Sequence, residues 1–200
     1  MNPFLEFKPW PKIPRLTNER FHITEKIDGT NACIIIKNKT AIKFLNNKLP
    51  DYNIYKYTIA EIDNKVLFAQ SRNRFITPND DNFGFAKWVL ANAEELSHLG
   101  YGHHFGEWWG KGIGRGYGLT ERRFSLFNVG IWDEENKPKC CHVVPYLGNF
   151  IFGNLQIEID YFLTTLIREG SYAVDGFKNP EGIIVYSELA KQYWKVLINK

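Results

Sequence analysis

Apolar and polar positions alternate along Arg20-Phe21-His22-Ile23-Thr24, the pattern of a strand with one buried face. The polar stretch Glu25-Lys26-Ile27-Asp28-Gly29-Thr30-Asn31 follows, then the unbroken run Ala32-Cys33-Ile34-Ile35-Ile36, which predicts a short buried strand. Thr40–Phe44 and Tyr55–Ile59 each predict a half-exposed strand, and Lys65–Gln70 another that ends at Ser71-Arg72-Asn73-Arg74. Phe85, Trp88, Val89 and Leu96 recur near helical spacing and predict a helix running to Leu99-Gly100, with Asp80 or Asp81 as its cap. His103–Gly110 reads as a strand entering a glycine-rich loop that lasts to Gly118, and Phe124–Trp132 as a strand that turns at Asp133-Glu134-Glu135-Asn136. Leu155, Ile159, Phe162 and Leu166 form a second helical stripe with Gly170 as its stop. Glu181–Tyr186 and Tyr193–Ile198 are closing strands. Pro3, Pro9, Pro11 and Pro14 punctuate the first twenty residues, which should lie extended over the domain. With no repeat and no linker, residues 1–200 read as one α+β domain rich in antiparallel strands.

Composition narrows the class. Two hundred residues, 44% apolar and 24% charged, suit a single globular domain with a real core. Aromatics reach 16%, so rings must line the core or a cleft. A net charge of +3 is too small to point to nucleic acid by itself. Cys33 and the adjacent Cys140-Cys141 form neither a disulfide framework nor metal-ligand spacing, which suits a reduced, cytoplasmic setting. Glu6, Lys8 and the prolines interrupt the N-terminal apolar residues, so that segment reads as neither signal peptide nor membrane span.

The candidate chemistry gathers at strand ends. In Lys26-Ile27-Asp28-Gly29, the glycine permits a tight turn, and the lysine becomes a nucleophile if it is partly desolvated or set near cations. The same tetrad also suits an ordinary charged hairpin. Lys26, Arg72, Glu107, Glu181 and Lys195 each stand at the edge of an apolar run. Two carboxylates and three cations fit a polyphosphate with a hard divalent ion. Gly110-Lys111-Gly112-Ile113-Gly114-Arg115-Gly116 looks like a phosphate cradle but opens no helix, so it reads first as a mobile loop whose Lys111 and Arg115 can touch nucleic-acid backbone. Trp108 and Trp109 read as packing, and His103-His104 and Cys140-Cys141-His142 as structural.

The order Lys26-Ile27-Asp28-Gly29, Ser71-Arg72, Phe105-Gly106-Glu107, Ser125-Leu126-Phe127-Asn128, Glu181-Gly182-Ile183-Ile184-Val185 and Trp194-Lys195 resembles the covalent nucleotidyltransferases. That superfamily holds ATP-dependent DNA ligases, RNA ligases and mRNA capping enzymes. The resemblance runs from about Lys12 to Lys200. Asn31, five residues after Lys26, stands where DNA ligases and capping enzymes usually carry arginine, and resembles the RNA ligases that seal nicks in duplex RNA, phage and editing enzymes among them. Lys12-Ile13-Pro14-Arg15-Leu16 has the same flavour.

The resemblance implies an α+β, ATP-grasp-like nucleotidyltransferase domain; these ligases generally append an OB or helical C-terminal domain, and this chain is expected to depart from that, with no OB or C-terminal domain. It implies an ATP-dependent RNA ligase using Mg²⁺ or Mn²⁺. Lys26 would attack the ATP α-phosphate as a neutral amine and hold AMP, which would pass to a 5′-phosphate end and then give way to a 3′-hydroxyl. Glu25 and Asn31 would fix nucleoside and phosphate; Arg72 would reach the ribose or a nucleic-acid end. Glu107 would bind the ribose or a hydrated metal, and Phe127 would stack on the purine. Glu181 would support the lysine or the metal shell, and Lys195 would pull on the α-phosphate. Asp28 would position the loop or link to metal.

RNA ends are the implied partner, DNA a weaker one, with room for a separate nucleic-acid-binding or repair partner. The family's last motif usually has a second lysine where this chain has Leu197, which leaves Lys191 as a substitute or a weakened step. A DNA ligase, a GTP-using capping enzyme and a nucleotide- or RNA-binding module without turnover remain the alternatives.

Overall fold

Strand β1 (Arg20–Lys26) and strand β2 (Thr30–Asn38) are neighbours in sequence but belong to different sheets, so Ile27-Asp28-Gly29 is a step from one sheet to the other. The computed structural model describes residues 8–13, 15, 18–48 and 53–198. Residues 1–7, with Pro3, lie outside the described residues, as do Pro14 and Leu16.

The first sheet has the order β11-β10-β1-β9, all antiparallel, with β9 at Tyr146–Ile151, β10 at Gly182–Ser187 and β11 at Gln192–Leu197. The second adds β3 (Thr58–Ile62), β4 (Lys65–Ser71), β6 (Gly102–Gly110), β7 (Arg122–Leu126) and β8 (His142–Val143) to β2, in the order β3-β4-β2-β6-β7-β8. A short β5 (Phe75–Ile76) pairs with β4, and only the β7–β8 pair is parallel among the described strand pairs.

Period-two alternation decides which faces are covered. Ala32, Ile34 and Ile36 of β2 pack with Leu67, Phe124 and Leu126 against Phe85, Val89 and Leu96 of the helical segment. Cys33 and Ile35 face the other way, where Ile42 covers them. In the first sheet, Phe21, Ile23, Ile183 and Val185 pack on Leu166 of the long C-terminal helix.

Several expected elements take another form. Thr40–Phe44 is not a strand but lies in helix α1 (Lys39–Lys48), because the Asn38 side chain accepts the N–H groups of Thr40 and Ala41 and so opens a helix. Ile54–Tyr57 is a 3₁₀ turn capped by Asn53, and β3 begins only at Thr58. The helix expected to Leu99 breaks at Asn92 into α2 (Phe85–Ala91) and α3 (Ala93–Leu96), followed by a 3₁₀ turn. Asp81 accepts the N–H groups of Ala86 and Lys87, while Asp80 pairs with Arg74 instead. The strand expected to Trp132 ends at Leu126; Asn128 accepts from Gly130, Ile131 and Trp132 and folds the chain away. Helix α4 (Leu155–Glu169) stops at Gly170, whose φ of 92° suits glycine, as its stripe required. None of the described helices is long and apolar enough to cross a membrane.

Candidate active site

The site forms where the two sheets meet, at the step after β1. Along β1, Glu25 shares the buried face with Phe21 and Ile23, whereas Lys26 points the opposite way with Thr24 and His22. In the ladder, Thr24 stands opposite Ile184 and Ile184 opposite Lys195, so Lys195 shares the Lys26 face one row along. Lys26 itself is opposite Gly182, and Gly182 opposite Leu197.

The second sheet contributes a facing row. Asn31 pairs with Glu107 across β2 and β6, and Ala32 with Ser71 across β2 and β4, which brings Arg72 next to Asn31 in register. The following row carries Phe105, whose carbonyl accepts the Phe127 N–H at 3.0 Å. Phe127 and Phe105 are 37% and 46% exposed, so both rings reach solvent, with the His103 ring stacked at 6.1 Å from Phe105.

Charge binds these rows together. Lys26 Nζ donates to Glu181 Oε2 at 2.5 Å in a half-buried pair. Burial pushes the Glu107 carboxyl up to about 7, Lys26 and Arg72 pull it down, Glu181 pushes it further up, and the Gly29 N–H donates to it. Lys26, Glu181, Glu107 and Arg72 therefore share one electrostatic cluster. Burial of a carboxylate beside cations and a second carboxylate is the usual physical mark of a reactive site.

Two other acidic residues of the motif look elsewhere. Glu25 is 1% exposed, and its carboxylate accepts from Ser171 Oγ at 2.6 Å, Tyr172 N at 2.7 Å and Ala173 N at 3.2 Å. Burial raises its pKa, opposed by those bonds. Its side chain is thus a pin for the 171–173 loop and faces away from Lys26. Asp28 faces the glycine-rich loop: its N–H donates to Tyr117 Oη at 2.9 Å, and its carboxylate lies 3.7 Å from Arg115 Nε. A Cβ on Gly114 would fall 2.7 Å from Asp28 Oδ1, so glycine is required for this approach. The loop expected to be mobile is instead braced, by Lys111 N–H to the Glu121 carbonyl and by Arg122 to the Lys111 and Phe83 carbonyls. Tyr117, 2% exposed, packs on Trp109 and Phe177 and ties both loops to Ile27.

The sequence singled out neither Tyr117 nor Ser171, since no local pattern links them to Lys26. Phe105, two residues before Glu107, carried no expected role. Trp108 and Trp109 are buried packing residues as expected, and His104 hydrogen-bonds the Gly100 carbonyl. Cys33 is buried with its thiol pushed up to about 12, which removes it as a nucleophile. Cavities of about 430 Å³ beside Glu95 and Lys137 and about 340 Å³ beside Phe21 and Trp194 are lined by residues outside the cluster.

A family model described as RNA ligase matches residues 19–196. The chain belongs to the RNA ligase family. Its fold is also that of solved RNA ligases. A lysine-to-alanine variant of the Naegleria gruberi RNA ligase with ATP and manganese superposes with a TM-score of 0.55 at 15% identity, over 91% of this chain and 50% of that one. An archaeal ATP-dependent RNA ligase gives 0.52 at 14% identity, over 96% of this chain and 48% of that one. This RNA ligase family member spans about half the length of those proteins. No curated protein matches it. In this family member, Leu197 lies on the Lys26 row, where the resemblance led to a second lysine, and is 40% exposed.

Proposed function

We propose that this chain carries the adenylylation chemistry of an ATP-dependent RNA ligase, with Lys26 as the nucleophile. The observation that carries the reading is the Lys26–Glu181 pair at 2.5 Å, set against Glu107 and Arg72 in one cluster. The Lys26 nitrogen forms a bond to the α-phosphorus of ATP, the bond from that phosphorus to the bridging oxygen breaks, and pyrophosphate leaves. Glu181 Oε2 already accepts from Nζ and can take the proton the amine gives up. Lys195, one row along on the same face, offsets the charge that builds on the α-phosphate. AMP then passes to a 5′-phosphate, which frees Lys26, and a 3′-hydroxyl displaces AMP to close the strand.

Phe127, with Phe105 beside it, offers an aromatic face to the adenine, a contact worth about 1–3 kcal/mol per stacked base. Asn31 and Arg72 border the same row and suit the sugar or a terminal phosphate. Among the described residues no group of three or more acidic, His or Cys side chains is close enough to cage a metal. Glu107 and Glu181 are hard oxygen donors, and two of them fit a largely hydrated Mg²⁺ or Mn²⁺. Such an ion, when bound, supplies positive charge against the polyphosphate. Glu25 and Asp28 act here as positioning residues through the loops they hold. RNA ends are the intended substrate.

A second reading, nucleotide or RNA binding without turnover, is favoured by one feature, the apolar Leu197 on the Lys26 row. The test incubates the protein with ATP, Mg²⁺ and a 5′-phosphorylated RNA strand in a nicked duplex, beside the equivalent DNA. Adenylylated RNA followed by sealed product is expected, with DNA sealed more slowly. RNA retained without either product would leave the binding reading in its place.

A further inference from the structure

The open face of the first sheet carries a run of rings that the chemistry at Lys26 does not use. Phe21, Ile23, Ile183 and Val185 turn towards α4, so the residues between them face the other way. One row outward from Thr24, Ile184 and Lys195, His22 stands opposite Tyr186 and Tyr186 opposite Tyr193. The Tyr186 and Tyr193 ring centroids are 4.6 Å apart, and the His22 ring lies 6.3 Å from Tyr186 and 6.0 Å from Tyr146. Tyr193 is 63% exposed and Tyr146 46%.

These rings are held rather than loose. His22 is fixed through both nitrogens, Nδ1 at 3.0 Å from Tyr146 Oη and Nε2 at 2.6 Å from Glu188. Asn149 donates to Tyr146 Oη at 3.1 Å and accepts from Arg20 Nη1 at 2.6 Å. The strip crosses from β9 to β11, roughly 14 Å at the usual strand spacing. That width suits the two or three splayed bases that an aromatic sheet face commonly stacks. Exposed Lys195 lies on its inner side, and Arg20 on its outer side. Polar ring tips with flanking cations suit bases and phosphates better than an apolar protein surface.

We propose that this strip is the track along which a single-stranded RNA tract runs towards Lys26, its bases on Tyr186, Tyr193 and Tyr146 and its phosphates near Lys195 and Arg20. The proposal rests on the RNA ligase reading of the site and adds the direction from which the substrate arrives. Because every base has a π face, the track reads stacking rather than sequence.

Fluorescence anisotropy with a labelled single-stranded RNA, run beside lysyl-AMP formation from ATP alone, tests it. Tyr193→Ala should weaken RNA binding about tenfold, Tyr193→Phe should bind like the wild type, and both should form lysyl-AMP at the wild-type rate. Equal RNA affinity for wild type and Tyr193→Ala would overturn the track, as would wild-type binding confined to duplex RNA. Tyr193-dependent binding in a protein that forms no lysyl-AMP would uphold the track while removing the ligase reading.

Discussion

Burial drives Glu107 up to about 7 from an ordinary 4.5, against the opposing fields of Lys26 and Arg72. The folded protein therefore keeps a proton on Glu107 that the unfolded chain gives up between those values. Folding stability then falls as pH rises through that window and levels off above it, by about 3 kcal/mol at about 1.4 kcal/mol per unit. Thermal melts at pH 5 and pH 7.5 should show a larger loss in the wild type than in Glu107→Gln, which cannot ionise; parallel losses would refute this assignment. Glu25 is buried for a different purpose. In Glu25→Ala the Tyr172 N–H and the Ser171 hydroxyl lose their acceptor, while the Ala173 N–H keeps Ser171 Oγ at 3.0 Å. The orphaned buried Ser171 hydroxyl costs about 1–3 kcal/mol, and the part-buried Tyr172 N–H less. A clear drop in denaturation midpoint, with proteolytic cleavage appearing near 171–173, is the expected result.

At the scale of elements, the turn after β1 is held from both sides. A Cβ at Gly29 would lie 2.6 Å from the Trp108 carbonyl, 2.7 Å from Trp109 Cβ and 2.9 Å from Glu107 Cγ. Backbone and a buried tryptophan cannot give way, so Gly29→Ala should cost about 1–3 kcal/mol or more and displace Glu107 from Lys26. A Gly29→Ala protein with wild-type melting and wild-type adenylylation would contradict that packing. Tyr117→Phe tests the other side more gently. It removes only the hydroxyl that accepts the Asp28 N–H, a loss of about 1 kcal/mol, and should slow adenylylation more than it lowers stability.

Much of this framework was legible before the fold was known. Alternation over Arg20–Thr24 and the stripe from Leu155 to Leu166 each imply one covered face, and both elements formed as expected. Thr40–Phe44 misled because Asn38, just outside the pattern, caps a helix that propensity alone left ambiguous. Tyr146–Ile151 offered no clean alternation, since Gly148 interrupts it, and its place in the first sheet comes from pairing with β1 far upstream. The site divides the same way. Lys26, Glu107, Glu181 and Arg72 could be named because each ends an apolar run, whereas Tyr117 and Ser171 reach Asp28 and Glu25 across 89 and 146 residues of chain. Strand alternation turns the Glu25 side chain away from its neighbour Lys26 and towards Ser171, a partner that no local pattern announces.

Over the whole molecule, the short step after β1 sets the edges of two sheets beside each other. The second sheet offers Asn31, Arg72, Glu107 and Phe127, while the first offers Lys26, Glu181 and Lys195 on a face that continues outward into the tyrosine strip. Covalent attachment of AMP to Lys26 is the step on which the proposed chemistry turns. The direct measurement incubates the protein with Mg²⁺ and ATP labelled at the α-phosphate, then resolves it on a denaturing gel beside Lys26→Ala. Label that stays with the wild-type chain, leaves it in acid and is absent from the variant is the predicted result. An unlabelled wild-type chain, or a labelled Lys26→Ala, would contradict it.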